Sequence, residues 1–188
     1  MSAGEEGIFV RLEEPEDVAR VFEINVAAFG RRDEAELTDR LRAEVSPLIA
    51  HVATRGSESG PVIGCSMWSP VEIRGEIRGE EHSPQGYTSS AFALGPIAVW
   101  PEEQKKGIGG LLMRAGFDAC REAGELLLFL LGHPTYYPRF GFRPAWEHGL
   151  WYGGMRGPNP AFMYKELAEG ALADRKGEVV YSLPFRDV

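Results

Sequence analysis

Two kinds of apolar pattern along the chain predict β-strands. In Ile8–Leu12 every second residue is apolar, as in a strand with one covered face, whereas residues 126–131 are apolar throughout, as in a strand buried on both faces. Residues 94–99 are nearly all apolar or small, so they are also expected to be buried on both faces. By the same criteria, strands are predicted at 48–55, 62–73, 87–99, 162–167 and 178–183, and another begins at 141–143.

Apolar positions at helical spacing predict three helices. The first covers about 15–30 and the second about 33–44. The third covers 108–124, where a glycine closes it. Its apolar stripe is predicted to comprise Ile108, Leu111, Leu112, Ala115 and Ala119.

The order of these elements predicts a mixed sheet with helices on its faces. Strands 48–55 and 62–73 form a hairpin across a turn-rich connection, and the charged segment 74–85 is either a loop or a polar strand end. The third helix lies between strands 87–99 and 126–131, which implies a right-handed parallel crossover. The fold class is therefore α/β, and the 188 residues are expected to form a single domain over 1–188.

Composition and charge exclude several classes of protein. The net charge of −8 argues against a nucleic-acid binder, which neutralises phosphates with clustered Lys and Arg. Cys65 and Cys120 are far apart and predict neither a disulfide framework nor a zinc site, so no metal is expected. No stretch has the length and apolarity of a membrane span, and Met1 to Gly7 lacks the features of a secretion signal. We therefore expect a cytoplasmic protein without membrane or nucleic-acid partners.

The turn between strand 87–99 and the third helix carries the first chemical signal. It reads Gln104-Lys105-Lys106-Gly107-Ile108-Gly109-Gly110. The helix N-terminus presents unsatisfied N–H groups and a partial positive charge, beside two lysines and three glycines that leave the backbone approachable. These features predict a phosphate or pyrophosphate site. The alternative is that the glycines only allow a tight turn and close packing, and that the lysines are solvated.

Two common phosphate loops fit this turn poorly. A Walker loop requires Gly-Lys followed by Ser or Thr, and no such triplet occurs here. A dinucleotide fingerprint requires a third Gly or Ala three residues after Gly109, where this chain has Leu112. The spacing therefore disfavours a nucleotide-dependent enzyme of either kind.

The same segment resembles the GCN5-related N-acetyltransferase (GNAT) family, in particular its YhbS-like bacterial branch. The family signature of Gln or Arg, two residues, Gly, one residue, and Gly or Ala is matched by Gln104, Gly107 and Gly109, directly after the strand. A second element, Tyr136-Tyr137-Pro138-Arg139-Phe140-Gly141-Phe142, is similar to the family's Tyr, three residues, Gly-Phe motif. The resemblance covers most of the chain. It is strong over residues 94–144 and weak before Ile63.

The resemblance implies a fold and a cofactor. The fold is a central mixed, mostly antiparallel sheet with helices on both faces, in which the parallel strands at 94–99 and 126–131 splay apart. The cofactor is acetyl-CoA (coenzyme A). Backbone groups of Ile97, Ala98 and Val99 would pair with the pantetheine arm. The pyrophosphate would bind to the N–H groups after Gln104, namely those of Lys105, Lys106, Gly107, Ile108, Gly109 and Gly110.

The resemblance also implies a catalytic acid. Tyr137 occupies the position of the family's general acid, whereas Tyr136 is assigned to packing. An Asn common in the wider family is replaced by Leu130. The general base stays open among His133, a water chain, Glu72 near the end of the strand 62–73, and three residues of the charged segment 74–85, which are Glu80, Glu81 and His82.

The leading hypothesis is an acetyl-CoA-dependent N-acetyltransferase that acts on a primary amine of a small molecule or a protein. The alternative is a non-catalytic acyl-CoA-binding or sensing module of the same fold. The acceptor and the choice between monomer and homodimer cannot be read from the sequence. The aromatic residues Trp146, Trp151 and Tyr152 either stack on the acceptor or contribute to packing.

Overall fold

The computed structural model describes residues 7–75, 87–173 and 175–187. The helices are α1 (Val18–Phe29), α2 (Asp33–Glu44) and α3 (Ile108–Glu122). The strands are β1 (Ile8–Leu12), β2 (Ile49–Arg55), β3 (Val62–Gly75), β4 (Tyr87–Val99), β5 (Leu127–Leu131), β6 (Arg143–Pro144), β7 (Leu150–Tyr152), β8 (Phe162–Glu166) and β9 (Gly177–Tyr181). Helix bounds and most strand bounds lie within a few residues of those predicted from the apolar pattern.

The chain divides into two compact units. The first unit takes in Met1–Ser69, Gly95–Glu122 and Leu183–Val188, and the second takes in Pro70–Leu94 and Ala123–Ser182. Strands β3 and β4 therefore contribute residues to both units. The expectation of a single domain over the whole chain stays a prediction.

The first unit is a sheet covered by helices on both faces. Strand β1 pairs antiparallel with β2, from Ile8 opposite Arg55 to Leu12 opposite His51, and β2 forms the predicted antiparallel hairpin with β3. Successive residues of a strand point to opposite faces. Val52 accordingly packs in a cluster with Val21, Ile24 and Leu41 of α1 and α2, and the neighbouring Ala53 packs with Ile108 and Leu112 of α3.

The second unit is built around β5, whose first four residues are buried. Phe92 and Ala93 of β4 pair parallel with Leu128 and Phe129, so the predicted parallel pairing of these strands is confirmed. On its other edge β5 pairs antiparallel with β8 over its whole length. The rings of Phe129 and Phe162 stack with centroids 5.6 Å apart in the core. The predicted splay of β4 from β5 stays a prediction.

Further pairs complete the second unit. Strand β6 pairs antiparallel with β8, the end of β3 pairs antiparallel with β9, and β7 pairs parallel with β9. The apolar pattern did not predict β7, because its three residues are too short a run to show a period. The end of β3 is a polar strand as far as Gly75, and the rest of the charged segment 74–85 lies outside the described residues.

Two burial predictions are wrong. Residues 94–99 are not buried on both faces: Leu94 and Ala98 are buried, whereas Ile97 and Val99 are half-buried because α3 covers their face only partly. In α3 the buried positions are Ile108, Leu112, Met113, Gly116, Phe117 and Cys120. The buried stripe is thus rotated toward Met113 and Phe117, and Leu111, Ala115 and Ala119 are only half-buried at its edge.

Candidate active site

The turn before α3 is formed by a sharp change of backbone direction. After a single 3-10 turn at Pro101–Glu103, Lys105 has a φ of 61° and Gly107 a φ of 87°. Glycine adopts such left-handed angles at little cost, whereas lysine is strained there. The side chain of Gln104 donates a hydrogen bond from Nε2 to the carbonyl oxygen of Val99 at 3.1 Å, and this bond ties the turn to the end of β4.

The turn leaves a run of backbone N–H groups without acceptors. Among the described residues, no hydrogen bond is donated by the amides from Lys105 through Gly109. The N–H groups of Gly110 and Leu111 both donate to the carbonyl oxygen of Gly107, at 2.9 and 3.2 Å, so the amide of Gly110 is already engaged. Unsatisfied amides at the start of a 15-residue helix, with the positive end of its dipole, suit a phosphate or diphosphate.

The charges on this turn are organised by Glu103. Its Oε2 atom accepts a hydrogen bond from Nζ of Lys106 at 3.1 Å and also contacts the guanidinium of Arg55 at the end of β2. These contacts hold the pKa of the Glu103 carboxyl below its usual range, and the hydrogen bond from Lys106 has the largest effect. Both lysines are exposed to solvent, and Lys106 is held by an ion pair. The sequence did not predict the role of Arg55, because it lies 48 residues away from Glu103.

The second unit holds the predicted catalytic acid. Tyr137 begins a 3-10 helix, Tyr137–Phe140, and its ring lies edge-on to Tyr136 and Phe142, with centroids 5.0 and 6.1 Å apart. Burial raises the pKa of the Tyr137 phenol to about 12. Within the described part of the chain, no group forms a hydrogen bond with its hydroxyl. The phenol is therefore protonated at neutral pH and has a hydroxyl available to a ligand.

The other candidate residues of the second unit differ in exposure. His133 is exposed, and its carbonyl oxygen accepts the N–H of Tyr136 at 3.0 Å. Leu130 is buried in β5. Glu72 is exposed and paired with Arg74 at 2.7 Å. Glu80, Glu81 and His82, the remaining candidates for a base, lie outside the described residues.

The three aromatic residues considered for the acceptor have separate environments. Trp146 is partly exposed. Trp151 carries the guanidinium of Arg156 over its ring, 4.3 Å from the centroid. The ring of Tyr152 packs against Phe162 at 5.9 Å and belongs to the core of the second unit. Of the three, Tyr152 thus contributes to packing.

The predicted cofactor residues all lie in one stretch of the sequence, Gly95–Glu122, which belongs to the first unit. This stretch contains Ile97, Ala98, Val99, Gln104, Lys105, Lys106, Gly107, Ile108, Gly109 and Gly110. Tyr137 belongs to the second unit. In the described ranges no cluster of three or more His, Cys, Asp or Glu side chains could hold a metal ion, and no helix there is long and apolar enough to span a membrane.

Known proteins with similar sequences fall into one group. Residues 10–145 match the family described as acetyltransferase (GNAT) domain. The chain is 35% identical to the N-acetyltransferase YjhQ of Escherichia coli strain K12 over 129 residues, which are 69% of this chain and just 66% of YjhQ. It is 30% identical to the N-acetyltransferase YhbS of the same strain over 181 residues, which are 95% of this chain and 98% of YhbS.

Two solved structures with a similar fold are GNAT family acetyltransferases. The crystal structure of E. coli YhbS in complex with CoA has a TM-score of 0.80 at 28% identity, and the match covers 98% of this chain and 95% of that one. A GNAT family acetyltransferase from Brucella melitensis in complex with acetyl-CoA has a TM-score of 0.70 at 30% identity, covering 95% and 97%. Sequence and fold thus point to the same relatives.

Proposed function

This chain belongs to the GNAT family of acetyltransferases, and on that premise we propose that it transfers an acetyl group from acetyl-CoA directly to a primary amine of a small molecule or a protein. The observation that carries the proposal is the run of unengaged amides from Lys105 through Gly109 at the start of α3. Such amides suit the diphosphate of coenzyme A. The relatives solved with CoA and acetyl-CoA support the same ligand.

In the proposed site the first unit binds the cofactor. The amides from Lys105 through Gly109 hold the diphosphate, and the backbone of Ile97, Ala98 and Val99 pairs with the pantetheine arm. Gln104 acts indirectly, because its side chain fixes the turn through the carbonyl of Val99. Gly110 supports the turn through its bond to Gly107 rather than by donating to the ligand.

In the proposed reaction the amine nitrogen forms a bond to the acetyl carbon, and the carbon–sulfur bond breaks. Tyr137 gives its phenolic proton to the departing sulfur and is reprotonated from solvent by the proton that the amine releases. The Tyr137 phenol keeps its proton at neutral pH, as a donor must, and the pKa that burial raises makes it a weaker acid than an exposed tyrosine. A lysine-like amine must itself lose a proton, at a cost of about 4.6 kcal/mol at pH 7. No described side chain is assigned as the base.

The cofactor proposal is tested by removing one amide of the run. Gly109→Pro deletes an N–H in the first turn of α3, where proline is compatible with a helix. A hydrogen bond to a charged group is worth about 1.5–3 kcal/mol, so the Kd of acetyl-CoA is expected to rise roughly 10- to 100-fold in calorimetry. Asp33→Pro likewise removes an N–H from the first turn of a helix, α2, together with the contact of Asp33 to Arg31 at 3.2 Å, and is expected to leave the Kd unchanged.

Catalysis is tested separately, by following free thiol while the protein is incubated with acetyl-CoA and a panel of amines. Release of CoA that depends on one amine class supports the transferase. Tight binding of acetyl-CoA without release across the panel would instead support the non-catalytic acyl-CoA-binding module. If wild-type protein fails to bind acetyl-CoA at all, both functions are excluded.

A further inference from the structure

The glycine that follows β5 lies against the ring of Tyr137. The N–H of Gly132 donates to the carbonyl oxygen of Ala161 at 2.9 Å, which fixes its backbone beside β8. A Cβ atom placed on Gly132 would lie 2.3 Å from Cε2 of Tyr137, 3.0 Å from Cδ2 and 3.2 Å from Cζ. Two non-bonded carbons cannot approach to 2.3 Å, so any side chain at this position displaces the ring.

The backbone conformation does not explain this glycine. The φ angle of Gly132 lies outside the left-handed region, whereas that of Gly141, which belongs to the motif of Tyr137, is +83°. An alanine at position 132 would therefore meet no backbone strain of its own. What the absence of a side chain provides is room for the aromatic ring of Tyr137.

Other aromatic residues limit where the Tyr137 ring can go. Tyr136 and Phe142 both lie edge-on to it, at 5.0 and 6.1 Å between centroids. Tyr136 is itself packed against Phe140 at 5.5 Å. With neighbours at these positions, a ring pushed away by a Cβ at Gly132 must rotate and carry its hydroxyl to a new place.

We propose that Gly132 is a positioning residue for the reaction, which sets the orientation of the Tyr137 phenol by leaving space for its ring. The inference rests on the proposed function, because it takes Tyr137 as the proton donor. Its consequence is that a methyl group at position 132 impairs proton transfer without touching the cofactor residues of the first unit.

The test is a double-mutant cycle between Gly132→Ala and Tyr137→Phe. A misplaced catalytic group costs up to about 100-fold, and loss of a general acid about 100- to 10,000-fold. Gly132→Ala is expected to lower kcat at least about tenfold while the KM for acetyl-CoA stays within twofold. In the Tyr137→Phe background, where no phenolic proton can be donated, the same substitution is expected to change kcat less than twofold.

Gly157→Ala is the matched control, because a Cβ at Gly157 meets no atom within 4 Å and its φ is also outside the left-handed region. A second readout does not depend on activity. In protein with isotope-labelled tyrosine, the NMR ring signals of Tyr137, assigned with Tyr137→Phe, are expected to move in Gly132→Ala and to stay in place in Gly157→Ala. Unchanged Tyr137 signals in Gly132→Ala would overturn the inference.

The outcomes separate the two ideas. If Tyr137→Phe keeps wild-type kcat, the proton-donor role fails, and the positioning role fails with it. If Tyr137→Phe loses activity but Gly132→Ala does not, or if Gly132→Ala lowers kcat equally in both backgrounds, only the positioning role of Gly132 is overturned. A thermal unfolding scan of each variant excludes a loss that is merely due to unfolding.

Discussion

At the scale of single residues, a few carboxylates each accept hydrogen bonds from the guanidinium group of an arginine. Glu103 joins Lys106 of the turn to Arg55 of β2, and Asp17 accepts two hydrogen bonds from Arg11 of β1, at 2.6 and 3.0 Å. The second pair is nearly covered, since the Asp17 side chain is only 7% exposed. Removing one partner of a covered pair leaves the other charge uncompensated, so such pairs have measurable effects on stability.

The Arg11–Asp17 pair predicts a pH-dependent stability. The hydrogen bond from Arg11 is the main cause that holds the pKa of Asp17 below its ordinary value of 3.8. The stabilisation is therefore present above pH 3.8 and is lost as the pH falls through the depressed pKa of the folded protein. Asp17→Asn is expected to lower the free energy of unfolding by about 2 kcal/mol at pH 7, measured by chemical denaturation, and by much less near pH 2.

An exposed ion pair provides the comparison for Asp17. Glu23 pairs with Arg20 at 2.8 Å, but its side chain is 62% exposed. Glu23→Gln is expected to change the free energy of unfolding by less than about 1 kcal/mol at either pH. Equal losses in the two variants at pH 7 would contradict the argument from burial.

At the scale of elements, helix α3 shows what the apolar pattern of the sequence can predict and what it cannot. The pattern gave its position and length, and it gave Ile108 and Leu112 as buried residues. It did not give the orientation of the helix, because several apolar residues lie on either side of the stripe. Contact with Ala53 and Ile63 covers Ile108 and Leu112, and the ring of Trp68 in β3, with its centroid 5.8 Å from that of Phe117, covers the side that the pattern missed.

The rotated stripe predicts different costs for two adjacent leucines. Leu112 is fully buried, so Leu112→Ala is expected to destabilise the protein by about 2–5 kcal/mol. Leu111→Ala removes the same atoms from a half-buried position and is expected to cost less than half as much. Chemical denaturation of both variants measures the difference, and a larger loss for Leu111→Ala would show that the helix is turned so that Leu111, rather than Leu112, faces the sheet.

At the scale of the whole molecule, two compact units are assembled from interleaved parts of one chain. Each unit has its own core, and the residues proposed for the cofactor belong to the first unit while Tyr137 belongs to the second. The family and the class of fold are established by the relatives of this chain. The cytoplasmic location stays a prediction.

Binding of acetyl-CoA is expected to raise the thermal stability of the protein. A ligand that binds only the folded state, at 100 times its Kd, stabilises by about 2.7 kcal/mol, which for a chain of this size raises Tm by roughly 5–10 °C. NAD and ATP at the same concentration are expected to leave Tm unchanged. A shift with NAD or ATP, but none with CoA, would assign the turn before α3 to a different phosphate ligand.

Much of the candidate site was predictable from sequence because it is local. Gln104, Gly107 and Gly109 lie within one turn, and Tyr137 lies in a short motif with Gly141 and Phe142, so their spacing is visible in the chain itself. The strands and helices were predictable for the same reason, since apolar periodicity reports the local conformation that buries one face.

What only the tertiary structure decided depends on residues that are distant or that leave no pattern. The ion pair between Arg55 and Glu103 joins residues that are 48 positions apart in the sequence. The engagement of the Gly110 amide, the edge position of Leu111 and the space that Gly132 leaves for Tyr137 are set by backbone angles and by neighbouring atoms. Apolar periodicity reports which residues avoid water. Hydrogen bonds and steric exclusion depend instead on differences of a few tenths of an ångström in the distances between atoms, and these distances are defined only in the folded chain.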